Sequence, residues 1–189
     1  MPSSKHTIFL SLVSGEFRSY RKLLAEDLQR SGVDVETQEQ WGTTGGTTLQ
    51  KLDDVMQRVR AGDGAVIHVV GHSLGYVPPK AAVDSLLDKH PDLLPKLTEY
   101  TGITRELLAA CSYTQWEAYL AVFHQVRLHI YRADEKAPRE EGFQSKPDEQ
   151  TLQDDHFQRI RELGRDRDVF LSEERLSSYV LADLHDILP

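Results

Sequence analysis

Apolar and polar positions along the chain switch repeatedly between strand-like and helix-like periods, which sets out an alternating series of β and α elements. Thr7 to Val13 is a short apolar run rich in strand formers, and Ser14-Gly15-Glu16 after it reads as a helix start. Phe17, Tyr20, Leu23, Leu24 and Leu28 keep helical spacing until Gly32 ends the helix. Val33 to Thr37 alternates as a strand. Beyond a loop from Trp41 to Thr48, Leu49, Leu52, Val55, Met56 and Val59 mark a second amphipathic helix, closed by Gly62 and Gly64.

Ala65 to Val70 is almost wholly apolar and β-branched, as suits a central parallel strand covered on both faces. His68 lies inside that run and reads as a packed histidine with satisfied ring nitrogens, since no other His or Cys shares its spacing. A longer connection follows through Pro78-Pro79, a helix near Ala81 to Lys89, and Pro91 to Pro95. The spacing then predicts a helix from Ser112 to about His124 and a strand from Val126 to Tyr131. Ala133 to Arg167 is highly charged, with a helix expected within Asp148 to Leu163, and its charges read as a solvated surface. Asp168 to Leu171 is expected as a brief last strand, and Leu176, Val180, Leu184 and Leu188 as a closing helix. The alternation predicts an α/β fold built on a doubly wound parallel sheet of five strands, flavodoxin-like in order, with extra helical insertions at about 76–111 and 133–167.

Composition narrows the classes. With 189 residues the chain suits one domain, its core at about 7–188. A formal net charge of −8 argues against a nucleic-acid backbone as partner, which needs clustered Lys and Arg. No stretch approaches a membrane span, and the first residues lack the apolar run of a signal peptide. Cys111 is the single cysteine, so neither an internal disulfide nor a cysteine-based metal site is available. The expectation is a cytoplasmic protein without a metal, a membrane or a nucleic acid.

Gly71-His72-Ser73-Leu74-Gly75 directly after a strand matches the G-x-S-x-G nucleophile elbow of α/β-hydrolases. The elbow must run straight into a helix, whereas Tyr76-Val77-Pro78-Pro79 holds the chain extended. The better reading is a glycine-bounded loop at the strand's carboxyl edge, where His72 and Ser73 line a ligand pocket.

Ser112-Tyr113-Thr114-Gln115-Trp116-Glu117 places a carboxylate on an aromatic-rich helix beside the open end of the sheet, where α/β proteins keep their chemistry. Glu117 stands four residues after Tyr113, so both share one helical face. Together with Ile8-Phe9-Leu10-Ser11 at the first strand, Gly32 before the second, Gly45 in the loop before the helix of Leu49 and Leu52, and the run Ser14 to Arg21, this order resembles a TIR domain (Toll/interleukin-1 receptor superfamily). It is most similar to bacterial TIR-like domains at the N-termini of larger defence or signalling proteins. The resemblance implies an NAD-cleaving enzyme in bacterial immune or stress signalling, with NAD as substrate rather than cofactor, that self-associates through TIR–TIR contacts and can be joined to further domains. It implies Glu117 as the catalytic residue. The implied substrate-binding residues start with Ser11 in the first strand and Ser14 just after it; Val13 and Ser14 stand where family members often carry a basic residue, and Arg18 restores that charge one turn later. Gln38, Glu39 and Gln40 follow at the end of the second strand, where one of them meets a ribose hydroxyl. Trp41 and Tyr113 are expected as aromatic walls, Gly45 as a point of close backbone approach, and His72 in the pocket lining.

One carboxylate suffices for this chemistry, because nicotinamide leaves as a neutral ring and needs no general acid. Positive charge grows on the ribose as the bond lengthens, and an adjacent anion is favoured more in the transition state than in the ground state. Water then gives ADP-ribose, and attack by the substrate itself gives a cyclic isomer. The rival expectations are a non-catalytic TIR adaptor or scaffold, and a nucleoside deoxyribosyltransferase-like enzyme acting on N-glycosidic bonds.

Overall fold

The computed structural model describes residues 6–41, 48–166 and 169–188, the side chains of Gln40, Arg165 and Asp166 excepted. Four parallel strands form the body of the sheet: β1 (Thr7–Ser11), β2 (Asp34–Glu36), β3 (Ala65–Val70) and β4 (Arg127–Arg132). The helices among the described residues are α1 (Ser14–Arg30), α2 (Thr48–Ala61), α3 (Lys80–Lys89), α4 (Leu93–Thr101), α5 (Arg105–Ala109), α6 (Tyr113–Phe123), α7 (Pro147–Ile160) and α8 (Glu173–Asp183). A short 3-10 turn, Gln38–Trp41, follows β2. None of the described helices is long and apolar enough to cross a membrane.

The expectation of a five-stranded flavodoxin-like sheet is corrected here. Strand order runs β2-β1-β3-β4, and beyond β4 only a two-residue pairing continues, β5 (Arg165–Asp166) against His129 and Ile130. The segment expected as the last strand contributes a single bridge, Ala133 with Phe170, and Asp168 lies outside the described residues. A parallel strand needs cover on both faces. Phe170 points into the core, but Val169 and Leu171 are 45% and 55% exposed, so the second face has no layer to bury against.

Side chains alternate along each strand, which divides the core in two. Phe9, Val66 and Val70 project to the side covered by α2, α3, α4 and α6. Ile8, Leu10, Ala65, Ile67, Val69 and Tyr131 project to the side covered by α1 and α8. All six β3 side chains are buried, as the unbroken apolar run predicts. The expected connection of Tyr76 to Cys111 holds α4 and α5 as well as α3, their apolar residues Leu93, Leu97, Ile103 and Leu108 closing the α2/α6 layer.

Candidate functional site

The parallel register sets Ser11, the last residue of β1, beside His68 of β3. Both follow the alternation that sends Phe9 and Val66 towards α2 and α6, so two polar side chains meet at the carboxyl end of an otherwise apolar face. Helix α6 is started there by a capping box: the Ser112 hydroxyl accepts from the Gln115 backbone N–H, and the Gln115 side chain accepts from the Ser112 N–H. One turn further on, α6 delivers Glu117 onto Ser11.

Glu117 is 2% exposed. Burial pushes its carboxyl up to about 8, a rise only partly offset by the Ser11 hydroxyl and by the charge of Arg21. At neutral pH it therefore rests mainly protonated. From Ser11 a hydrogen-bonded chain runs inward: Ser11 Oγ to His68 Nδ1 at 2.7 Å, His68 Nε2 to His156 Nε2 at 3.1 Å, and His156 Nδ1 to the Tyr119 hydroxyl at 3.2 Å. Arg159 hydrogen-bonds Tyr119 at the far end. A guanidinium only donates and a carboxylate only accepts, so with Glu117 ionised the two ends set the direction of every link. Arg159 donates to Tyr119, Tyr119 to His156 Nδ1, His156 Nε2–H to His68 Nε2, His68 Nδ1–H to Ser11, and Ser11 to Glu117. Both histidines are held neutral by burial, His68 down at about 3.

The glycine-bounded loop after β3 is fixed by a second set of buried groups. Glu16, wholly buried near the start of α1, accepts from the backbone N–H groups of His72 and Ser73 at 2.7–3.0 Å and pairs with Arg139 Nε at 2.7 Å. Gly71 permits this approach, because a Cβ there would overlap the Glu16 carboxylate and the Phe17 ring. Glu149 accepts from the Leu74 N–H, and Gln153 links the Ser73 carbonyl to Gln115. No helix begins until Lys80, so Ser73 lacks the strand–turn–helix setting of a nucleophile.

The expected site residues separate into groups. Ser11 meets Glu117 directly. Ser14 hydrogen-bonds Glu39 and Arg21, and Arg21 pairs with Glu39, so the 3-10 turn is tied to the start of α1. Arg18 is exposed and its charge acts on Glu140; the cation acting on Glu117 is Arg21. Trp41 packs on Phe9 with ring centroids 6.0 Å apart and donates to Glu36, and Tyr113 packs against the same apolar layer and hydrogen-bonds Thr48. His72 enters through its backbone N–H, and Gln38 is partly buried. Gly45 and the Gln40 side chain lie outside the described residues.

Arg21, Glu16, Arg139, His156 and Arg159 were not legible as site residues. Arg21 carried a signal, standing seven residues, two turns, after Ser14 on one face. The charged segment read as a solvated surface instead supplies Arg139, Glu149, Gln153, His156 and Arg159 to this end of the sheet. Sequence offers no sign of that, because the contacts span up to 123 residues. Comparison with known proteins found no matching family model, no matching curated protein and no matching solved structure.

Proposed function

We propose that the protein cleaves the ribose–nicotinamide bond of NAD, with Glu117 as the catalytic carboxylate. The observation that carries this reading is one buried carboxyl at the carboxyl edge of the sheet, hydrogen-bonded to Ser11 and acted on by Arg21. The TIR-like order of motifs around it supports the substrate class. A positively charged nicotinamide ring beside Glu117 favours the ionised carboxylate, as any opposite charge does, so substrate binding itself arms the group that rests protonated. The ionised side chain then faces the positive charge growing on the ribose in a water-poor setting, where such pairing is strongest. The Ser11–His68–His156 chain positions the carboxylate. Self-association through the loop of Trp41 to Thr48 belongs to the same reading.

The test is release of free nicotinamide from NAD, measured across a dilution series of the protein. Glu117→Gln keeps the shape and removes the charge, and it is expected to lower turnover by roughly a hundredfold or more while the protein stays folded. Undiminished release by a folded Glu117→Gln protein, or no release by the wild type at any concentration, refutes the proposal.

A further inference from the structure

Away from Glu117, on the same face of the sheet, three helices bring together a group of side chains that NAD cleavage leaves without a role. Asp53, wholly buried in α2, meets His124 Nε2 at 2.6 Å through one carboxylate oxygen and His90 Nε2 at 2.9 Å through the other. The three ligand atoms all lie within 4.8 Å of one another. His90 is the residue that ends α3 and His124 the one that ends α6, so two helix carboxyl termini point their negative dipole ends at the same spot. Lys89 Nζ already sits there, 2.7 Å from Asp53. The two histidines line a cavity of about 400 Å³ together with Gln57, Asp92, Lys96 and Phe123.

We propose that Asp53, His90 and His124 form a binding site for a first-row divalent transition metal, zinc being the reference ion. Two imidazole nitrogens and one carboxylate are a borderline-soft set that suits zinc, cobalt or nickel and does not suit magnesium or calcium, which take oxygen ligands. Ligand atoms about 3.3 Å apart are what tetrahedral bonds of 2.0–2.1 Å require. The two hydrogen bonds use different Asp53 oxygens, so an ion enters as they open by less than an ångström, the carboxylate turns one oxygen to it and the ligand atoms, now within 4.8 Å of one another, close to that spacing, each ring carrying its proton on Nδ1. The side chain of Lys89 is 44% exposed, so its ammonium can swing out to water as the ion replaces its charge. Three protein ligands leave a fourth position facing the cavity, open to water or a small anion. An ion here clamps the end of α6, the helix that also carries Glu117, to α2 and α3.

Metal-stripped protein titrated with zinc chloride is expected to take up one equivalent saturably and to melt at a higher temperature when loaded. His90→Ala and His124→Ala are each expected to weaken uptake by roughly tenfold or more. Lys89→Met, which removes the competing ammonium, is expected to tighten it. Cobalt in the wild-type protein supplies a readout that does not depend on variants folding. Coordination by two imidazoles at low coordination number gives intense visible bands and shifts the ring nitrogen resonances of two histidines. Absence of saturable uptake, uptake that both histidine substitutions leave unchanged, or a cobalt spectrum as pale as that of the free aquo ion overturns the proposal.

Discussion

Replacing Glu117 by Gln is expected to make the protein more stable in mildly alkaline solution and nearly neutral in effect at pH 5. Burial holds the native carboxyl near 8 against an ordinary value of 4.5. Between those values the unfolded chain releases a proton that the native protein retains, so native stability falls by about 1.4 kcal/mol per pH unit. The sign follows from the raised native value. Below 4.5 the group is neutral in both states and costs nothing, and the full penalty is reached once the pH passes 8. Working the two titrations through gives a loss of roughly 1 kcal/mol at pH 5 and between 4 and 5 kcal/mol at pH 8.5. Gln keeps the hydrogen bond to Ser11 and has no proton to lose. The stability gap between Glu117→Gln and wild type should therefore widen, in favour of the variant, by about 4 kcal/mol from pH 5 to pH 8.5. Urea unfolding of both proteins at the two pH values measures it. All other titrating groups are common to both proteins and cancel in the difference. A gap that changes by less than about 1 kcal/mol refutes the claim that Glu117 is a buried, proton-retaining carboxyl.

Gly71→Ala is expected to destabilise by several kcal/mol, because the new methyl overlaps a buried carboxylate and an aromatic ring that are both held in place; a melting temperature within a degree or two of wild type would show the loop free to move. Nitrogen-15 NMR at pH 9, with Glu117 ionised, should find His68 protonated on Nδ1 and His156 on Nε2, the tautomers dictated by donation from Arg159 towards Glu117. The opposite pair of tautomers would mean that the chain does not run to the carboxylate.

The local pattern was sufficient for β1 to β4 and for α1, α2, α3, α6, α7 and α8. Strand and helix periods are properties of neighbouring residues, and a continuous apolar run such as Ala65 to Val70 has one stable place, a strand covered on both faces. The start of α6 at Ser112 was readable for the same reason, from the helical spacing that follows it. His68 was rightly read as packed, because a lone histidine inside such a run finds its partners in the core.

Tertiary structure alone decided what a residue's distant neighbours are. The segment expected as the last strand is reduced to a single bridge, Ala133 with Phe170, because no layer covers Val169 and Leu171, and cover is set by the whole fold. Arg18 and Arg21 are equally basic in the sequence; the turn of α1 on the sheet sends one to solvent and the other to Ser14 and Glu39, from where its charge acts on Glu117. The charged stretch after β4 looked solvated because charge predicts exposure on average, yet buried carboxylates and backbone N–H groups near the glycine loop needed partners, and that stretch was the one able to reach them. Asp53, His90 and His124 lie 37 and 34 residues apart along the chain, a spacing with no motif in it, and they meet only because the carboxyl ends of α3 and α6 come together against α2 at Asp53.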